Sequence, residues 1–100
     1  MKSTFRILFY VKRDKQKSDG TLPIMCRITI DGQPSRFNTK VSIHPNIWDA
    51  KASVATGKSN EAVEVNALLN EIKTSIHNVY HDLQTKENNV NADRVKNIFL

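Results

Sequence analysis

The chain has little of what most catalytic or cross-linked proteins are built from. It holds one cysteine, Cys26, which excludes a disulfide framework or a multi-cysteine metal site within the chain. Cys26 falls on the apolar side of a candidate strand, the place of a small buried residue, and suits a reducing cytosol. The three glycines, Gly20, Gly32 and Gly57, stand far apart, so no glycine loop cradles a phosphate. The apolar cluster Phe5 to Val11 is interrupted by Arg6 and followed by Lys12 and Arg13. It is neither a signal-peptide core nor long enough to span a bilayer, so a soluble, cytoplasmic protein with no membrane contact is expected.

Nothing in the chain assembles a reaction centre. His77 and His81 are spaced i, i+4, but Asn78 stands where the HExxH pattern requires glutamate, and such a pair is more often solvated than metal-bound. No catalytic residue, metal or cofactor is expected. A chain of 100 residues is one small domain, or one domain and the start of another.

Charge is present in excess of one sign, and unevenly. Lys and Arg outnumber Asp and Glu by 15 to 10. Residues 1 to 60 hold eleven basic and four acidic side chains, whereas residues 61 to 100 hold four and six. The front half therefore suggests a surface that faces a polyanion.

That half centres on a β-hairpin, TLPIMCRITIDGQPSRFNTKVSI, from Thr21 to Ile43. Asp31-Gly32 is its turn, because a type I′ turn needs positive φ at both central positions. Alternation sets Ile24, Cys26, Ile28 and Ile30 against Met25, Arg27 and Thr29 on the incoming arm. On the outgoing arm it sets Phe37, Thr39 and Val41 against Arg36, Asn38 and Lys40. The polar side carries no carboxylate. A first strand, Thr4 to Lys12, opposes Phe5, Ile7, Phe9 and Val11 to Arg6, Leu8, Tyr10 and Lys12. Leu8 breaks its polar set, either as an apolar contact to a ligand or because both faces of this strand are covered. Arg13 to Gly20 reads as an exposed loop, and Pro23 places the start of strand two at an edge or ahead of pairing. The strands span about 4–12, 22–31 and 34–42.

After a turn around Pro45-Asn46, Trp48 should anchor the core edge, and Ala50 to Lys58 should be a loop. Ser59 or Asn60 then caps a helix over about 60–86. Ala62, Val65, Leu69, Ile72, Ile76, Val79 and Leu83 recur at steps of three and four, with Leu68 and Tyr80 widening the stripe. Asn88-Asn89 can stop this helix. At roughly 1.5 Å per residue the helix is some 40 Å long, more than a strand of about eight residues can cover. The stripe from Ile76 to Leu83 needs another partner, for which the expected source is chain beyond Leu100. Asn91 to Arg94 looks like a second cap, and the pattern that follows stops at Leu100 in mid-course.

A β-sheet can enter the major groove of B-DNA, where Arg reads guanine and Asn reads adenine. Arg6, Tyr10, Lys12, Arg27, Thr29, Arg36, Asn38 and Lys40 supply that inventory, with Arg13, Lys15 and Lys17 as phosphate contacts. A plain solvated face shows the same alternation, and both readings stand on chemistry alone.

In the order of these elements, and in FRILFYVKRDK, LPIMCRITIDGQPSRFNTKVSIHPNIWDAK, VNALLNEI and DRVKNIFL, the sequence resembles the N-terminal region of Bacteroidetes-type tyrosine recombinases of the phage-integrase family. The resemblance covers essentially the whole chain and lies in order and spacing more than in any single motif. It implies an α+β fold: a three-stranded antiparallel sheet packed on one long C-terminal helix, residues 1–87. Residues 88–100 would be a linker and the truncated start of the helical, SAM-like core-binding domain. It also implies a non-catalytic domain that binds arm-type sites on double-stranded DNA beside the recombination core. Its partners would be that DNA and the remainder of a parent recombinase of a mobile element, with the nucleoid as its place. Tyr10 and Tyr80 do not stand in the nucleophile motif. Two other classes remain: a protein-interaction module that self-associates through the long helix, and a binder of double-stranded RNA.

Overall fold

Period-two alternation in three stretches of the front half yields three strands: β1 (Phe5–Val11), β2 (Leu22–Ile30) and β3 (Gln33–Ile43). The computed structural model describes residues 4–87 and 90–100, and in it the strands form one antiparallel sheet in the order β1-β2-β3. The hairpin turn is as expected, with φ of 52° at Asp31 and 81° at Gly32 and Ile30 paired with Gln33 across it. Thr4 closes the same end of the sheet, its amide donating to Asp31 Oδ1 at 3.0 Å. Pro23 departs from expectation, because β2 is the central strand and Pro23 lies opposite Ser42. The ladder shifts register between Pro23 and Met25, so the missing amide falls beside an irregularity where a proline is tolerated.

One face of the sheet is the core. Ile24, Cys26 and Ile28 are completely buried and Ile30 nearly so, joined by Phe9, Phe37 and Ile43. Each buried isoleucine stabilises the fold by roughly 1.5 to 3 kcal/mol. Burial also pushes the Cys26 thiol up to about 12, which leaves it an inert packing group.

Helix α1 (Asn60–Lys86) covers this face. Ser59 caps it, its Oγ accepting from the Ala62 amide at 3.2 Å. Ala62, Val65, Leu69, Ile76, Tyr80 and Leu83 are buried, and Ile72 and Val79 pack partly against them. Leu68 does not widen the stripe: it lies one position off the three-four spacing and is 45% exposed. The Asn88-Asn89 pair expected to stop the helix lies outside the described residues.

Two further expectations are corrected. Ala50–Lys58 is not a plain loop: β5 (Val54–Ala55) pairs with β4 (Trp48–Asp49). Asn66 of α1 grips β5, its Oδ1 accepting from the Ala55 amide at 2.9 Å and its Nδ2 donating to the Ala55 carbonyl at 3.0 Å. Trp48 is buried beside it, as an edge anchor should be. The partner of the Ile76 to Leu83 stripe also lies within the chain. Phe5 stacks on Tyr80 with ring centroids 4.1 Å apart, and helix α2 (Ala92–Phe99) folds back onto α1 and β3.

Asn91 caps α2 as its sequence suggests, Oδ1 accepting from the Arg94 amide at 2.8 Å. Ala92 and Val95 are buried in the same core as the sheet, Phe99 meets Phe37 at 5.4 Å, and Ser35 Oγ donates to Asp93 Oδ1 at 2.6 Å. The division expected after residue 87 therefore falls between two helices that share one core. Val95→Ala should cost about 2 kcal/mol in urea denaturation, from two lost methyl groups and the space they leave. Deleting residues 90–100 should lower the urea midpoint further; an unchanged midpoint would place α2 outside the folding unit.

Candidate nucleic-acid interface

With helices on one face, register alone defines the other. Arg6, Thr29 and Pro34 lie side by side across the three strands; Leu8, Arg27 and Arg36 form the next row, and Tyr10, Met25 and Asn38 the third. None of the nine is buried. None is acidic, and Arg27 stands directly opposite Arg36. Like charges in directly opposed positions weaken a sheet, so this arrangement is not one that stability selects. Among the described residues the ion pairs are His44–Glu61, Lys86–Asp82 and Arg94–Glu87; the arginines of this face take part in none of them. Leu8 is half-buried within this face, next to Arg27.

Beyond the third row β3 bulges. Thr39, Lys40 and Val41 pass opposite Ile24 alone, and Lys40 adopts φ 66°, a left-handed conformation that costs a lysine roughly 1 to 2 kcal/mol. Side chains hold it there. Asn38 Oδ1 accepts from the Lys40 amide at 2.7 Å, while Thr39 Oγ1 donates to the Ile24 carbonyl at 2.7 Å and accepts from the Val41 amide at 3.1 Å. Lys40 is thereby presented exposed at the end of the face. Asn38 has a structural task as well: its Oδ1 already accepts one hydrogen bond, which leaves Nδ2 as its uncommitted donor.

The loop from Lys12 to Gly20 is folded, not slack. Arg13–Lys15 makes a 3-10 turn, the Lys17 amide donates to the Thr21 carbonyl at 2.9 Å, and the Gly20 amide donates to the Lys17 carbonyl at 3.0 Å. Asp19 Oδ1 accepts from the Thr21 hydroxyl at 2.6 Å and from its amide at 3.0 Å, bonds that lower the Asp19 pKa. Lys12, Arg13, Lys15 and Lys17 all project into solvent.

The expected site residues thus separate into two groups. Arg6, Tyr10, Arg27, Thr29, Arg36 and Asn38 share the sheet face, while Lys12, Arg13, Lys15, Lys17 and Lys40 stand at its far margin, in the loop and bulge. Lys51, Lys73 and His77 are absent from that set, yet they border the free edge of β1 in open grooves that also touch Leu8. A sequence signal for them exists: Asn66, Asn70, Lys73 and His77 run at steps of four, three and four beside the apolar stripe, without an acid. Among the described residues no group of three or more His, Cys, Asp or Glu could hold a metal, and no helix is long and apolar enough to cross a membrane.

An open, acid-free sheet face backed by helices is the architecture of a binding module. The chain belongs to the Arm DNA-binding domain family, whose family model matches residues 9–96. This is the arm-type DNA-binding domain of phage-integrase, tyrosine-recombinase type proteins, a DNA-binding and non-catalytic unit. Neither the curated proteins nor the solved structures give a significant match.

His44 fastens the loop end of this face to α1. Its Nδ1 lies 2.8 Å from Glu61 Oε1, and its amide donates to Glu61 Oε2 at 2.9 Å. The Glu61 hydrogen bond and charge raise the His44 pKa, with Asp19 adding less; the His44 amide and ring lower that of Glu61. A raised histidine stabilises fully below its unfolded value and loses that contribution as pH climbs through the folded one, while a lowered carboxylate loses its contribution as pH falls. The clasp is therefore complete between 4.5 and 6.5, the ordinary values of the two groups. Tm should fall from about pH 6 to about pH 9, and by less in Glu61→Gln. Equal falls in both proteins would contradict the clasp.

Proposed function

We propose that the open face of the sheet binds double-stranded DNA with sequence preference, as the arm-site-binding domain of a site-specific tyrosine recombinase that serves a mobile element. The observation that carries the reading is the opposed pair Arg27 and Arg36 in a nine-residue face without a carboxylate. Dimensions agree with it. Three strands at about 4.8 Å spacing are roughly 10 Å across, within a major groove of about 12 Å. Residues of one face recur every 6.8 Å or so along a strand, about two base steps of 3.4 Å.

In this mechanism Lys12, Arg13, Lys15, Lys17 and Lys40 neutralise phosphates and supply affinity, while Arg6, Arg27, Arg36, Thr29 and the Asn38 Nδ2 meet base edges. Leu8, Tyr10 and Met25 add apolar contact, as with thymine methyl groups. In this reading strand transfer belongs to another domain of the parent protein, and the working place is the bacterial nucleoid. Self-association through α1 has one observation in its favour, the exposed Val63 and Leu68. Salt separates the two, since phosphate binding weakens steeply with it and apolar association does not.

On duplexes selected by the wild-type protein from a random library, Arg27→Ala and Arg36→Ala should each weaken binding by about 1 to 3 kcal/mol and relax base preference. Each variant should keep or raise Tm, because a like-charge pair is relieved. Unchanged affinity in both variants, with the fold intact, would remove the sheet face from the interface.

A further inference from the structure

The free edge of β1 carries a feature that the sheet-face reading does not use. Between this edge and α1 lies an open groove of about 540 Å³, whose lining includes Arg6, Leu8, Arg27, Thr29, Lys73 and His77. A second groove of about 380 Å³ continues it toward the β4–β5 turn, sharing Leu8 and Lys73 and adding Lys51, Ser53 and Asn70. Neither lining contains an aspartate or glutamate. The acids of α1 stand elsewhere on the helix, and the row that faces the grooves is Asn66, Asn70, Lys73 and His77. Lys51 and Lys73 are exposed and take part in none of the ion pairs among the described residues. His77 is half-buried with its ring edge-on to Phe5 at 4.9 Å, and burial, then the charges of Lys73 and His81, lowers its pKa.

We infer that this paired groove is a second anion track, in which Lys51 and Lys73 hold the phosphodiester backbone of one strand of the same duplex whose major groove the sheet enters. The inference rests on the sheet-face reading and extends it to α1 and the β4–β5 turn. Continuity supports it: Arg6, Arg27 and Thr29 belong both to the open face and to the groove wall, so a duplex seated on the face brings a backbone past this edge. Charge complementarity supports it too, because the grooves offer cations, amides and the hydroxyls of Thr29 and Ser53 to an anion. Backbone phosphates are contacted without regard to base, so these lysines add affinity and fix orientation but carry no sequence preference.

The test is a salt titration of the 100-residue chain against a random-sequence duplex and against a duplex selected by the wild type. Lys51→Ala and Lys73→Ala should each reduce the slope of log affinity against log salt by about 1, on both duplexes alike. At about 0.1 M salt each should lose roughly five- to tenfold in affinity, the worth of one released counterion. Their ranking of sequences should stay that of the wild type, and Lys86→Ala, some 20 Å along the helix from Lys73, should behave as wild type. If Arg27→Ala and Arg36→Ala weaken binding while Lys51→Ala and Lys73→Ala keep the full salt slope, the track is wrong and the sheet face stands. If the arginine variants bind as wild type, the sheet-face reading falls and the track with it.

Discussion

Ile24, Cys26, Ile28 and Ile30 are buried on one side of β2, and their contact with the helices fixes everything on the other side. Side chains alternate along a strand, so committing these four inward commits Met25, Arg27 and Thr29 outward. The central strand then sets its neighbours by register: Leu8 and Arg36 flank Arg27, and Arg6 and Pro34 flank Thr29. A one-residue slip of β2 would turn its isoleucines outward and bury Arg27 without a partner, at a cost no small domain could bear. The basic face is thus a consequence of where the isoleucines go.

The elements readable in the sequence are those whose cause is local. Asp31-Gly32 dictates its turn by backbone sterics, the three-four spacing from Ala62 to Leu83 dictates α1, and Ser59 and Asn91 cap their helices as polar residues ahead of apolar runs do. The family was legible as well, in the order of strands, loop, hairpin and helix. What escaped depends on contacts distant in sequence. The two-residue strands β4 and β5 have no periodicity to detect and exist because Asn66 grips Ala55. The return of α2 is settled by Ser35, Phe37 and the uncovered end of α1, none of which its own sequence announces.

The candidate site was legible to the same extent. Alternation assigned Arg6, Arg27, Arg36 and Asn38 to one face, and register brought them together. Alternation could not show that Asn38 and Thr39 spend hydrogen bonds on a bulge that turns Lys40 into a left-handed conformation. Strained backbone of this kind persists where the surrounding structure over-determines it, and it gathers at binding sites. Nor does strand periodicity reach the β1 edge, where the relevant lysines come from a turn and a helix.

The central claim is that DNA lies on the strand face and not against the outward side of α1. The most direct measurement is an NMR titration of the chain with a short duplex, following the methyl groups of Leu8 and Met25 on the face and of Val63 and Leu68 on the helix. With DNA on the strand face, Leu8 and Met25 should shift strongly, together with the Arg27, Thr29 and Arg36 amides, while Val63 and Leu68 stay in place. Shifts confined to Val63 and Leu68, with Leu8 and Met25 unmoved, would contradict it.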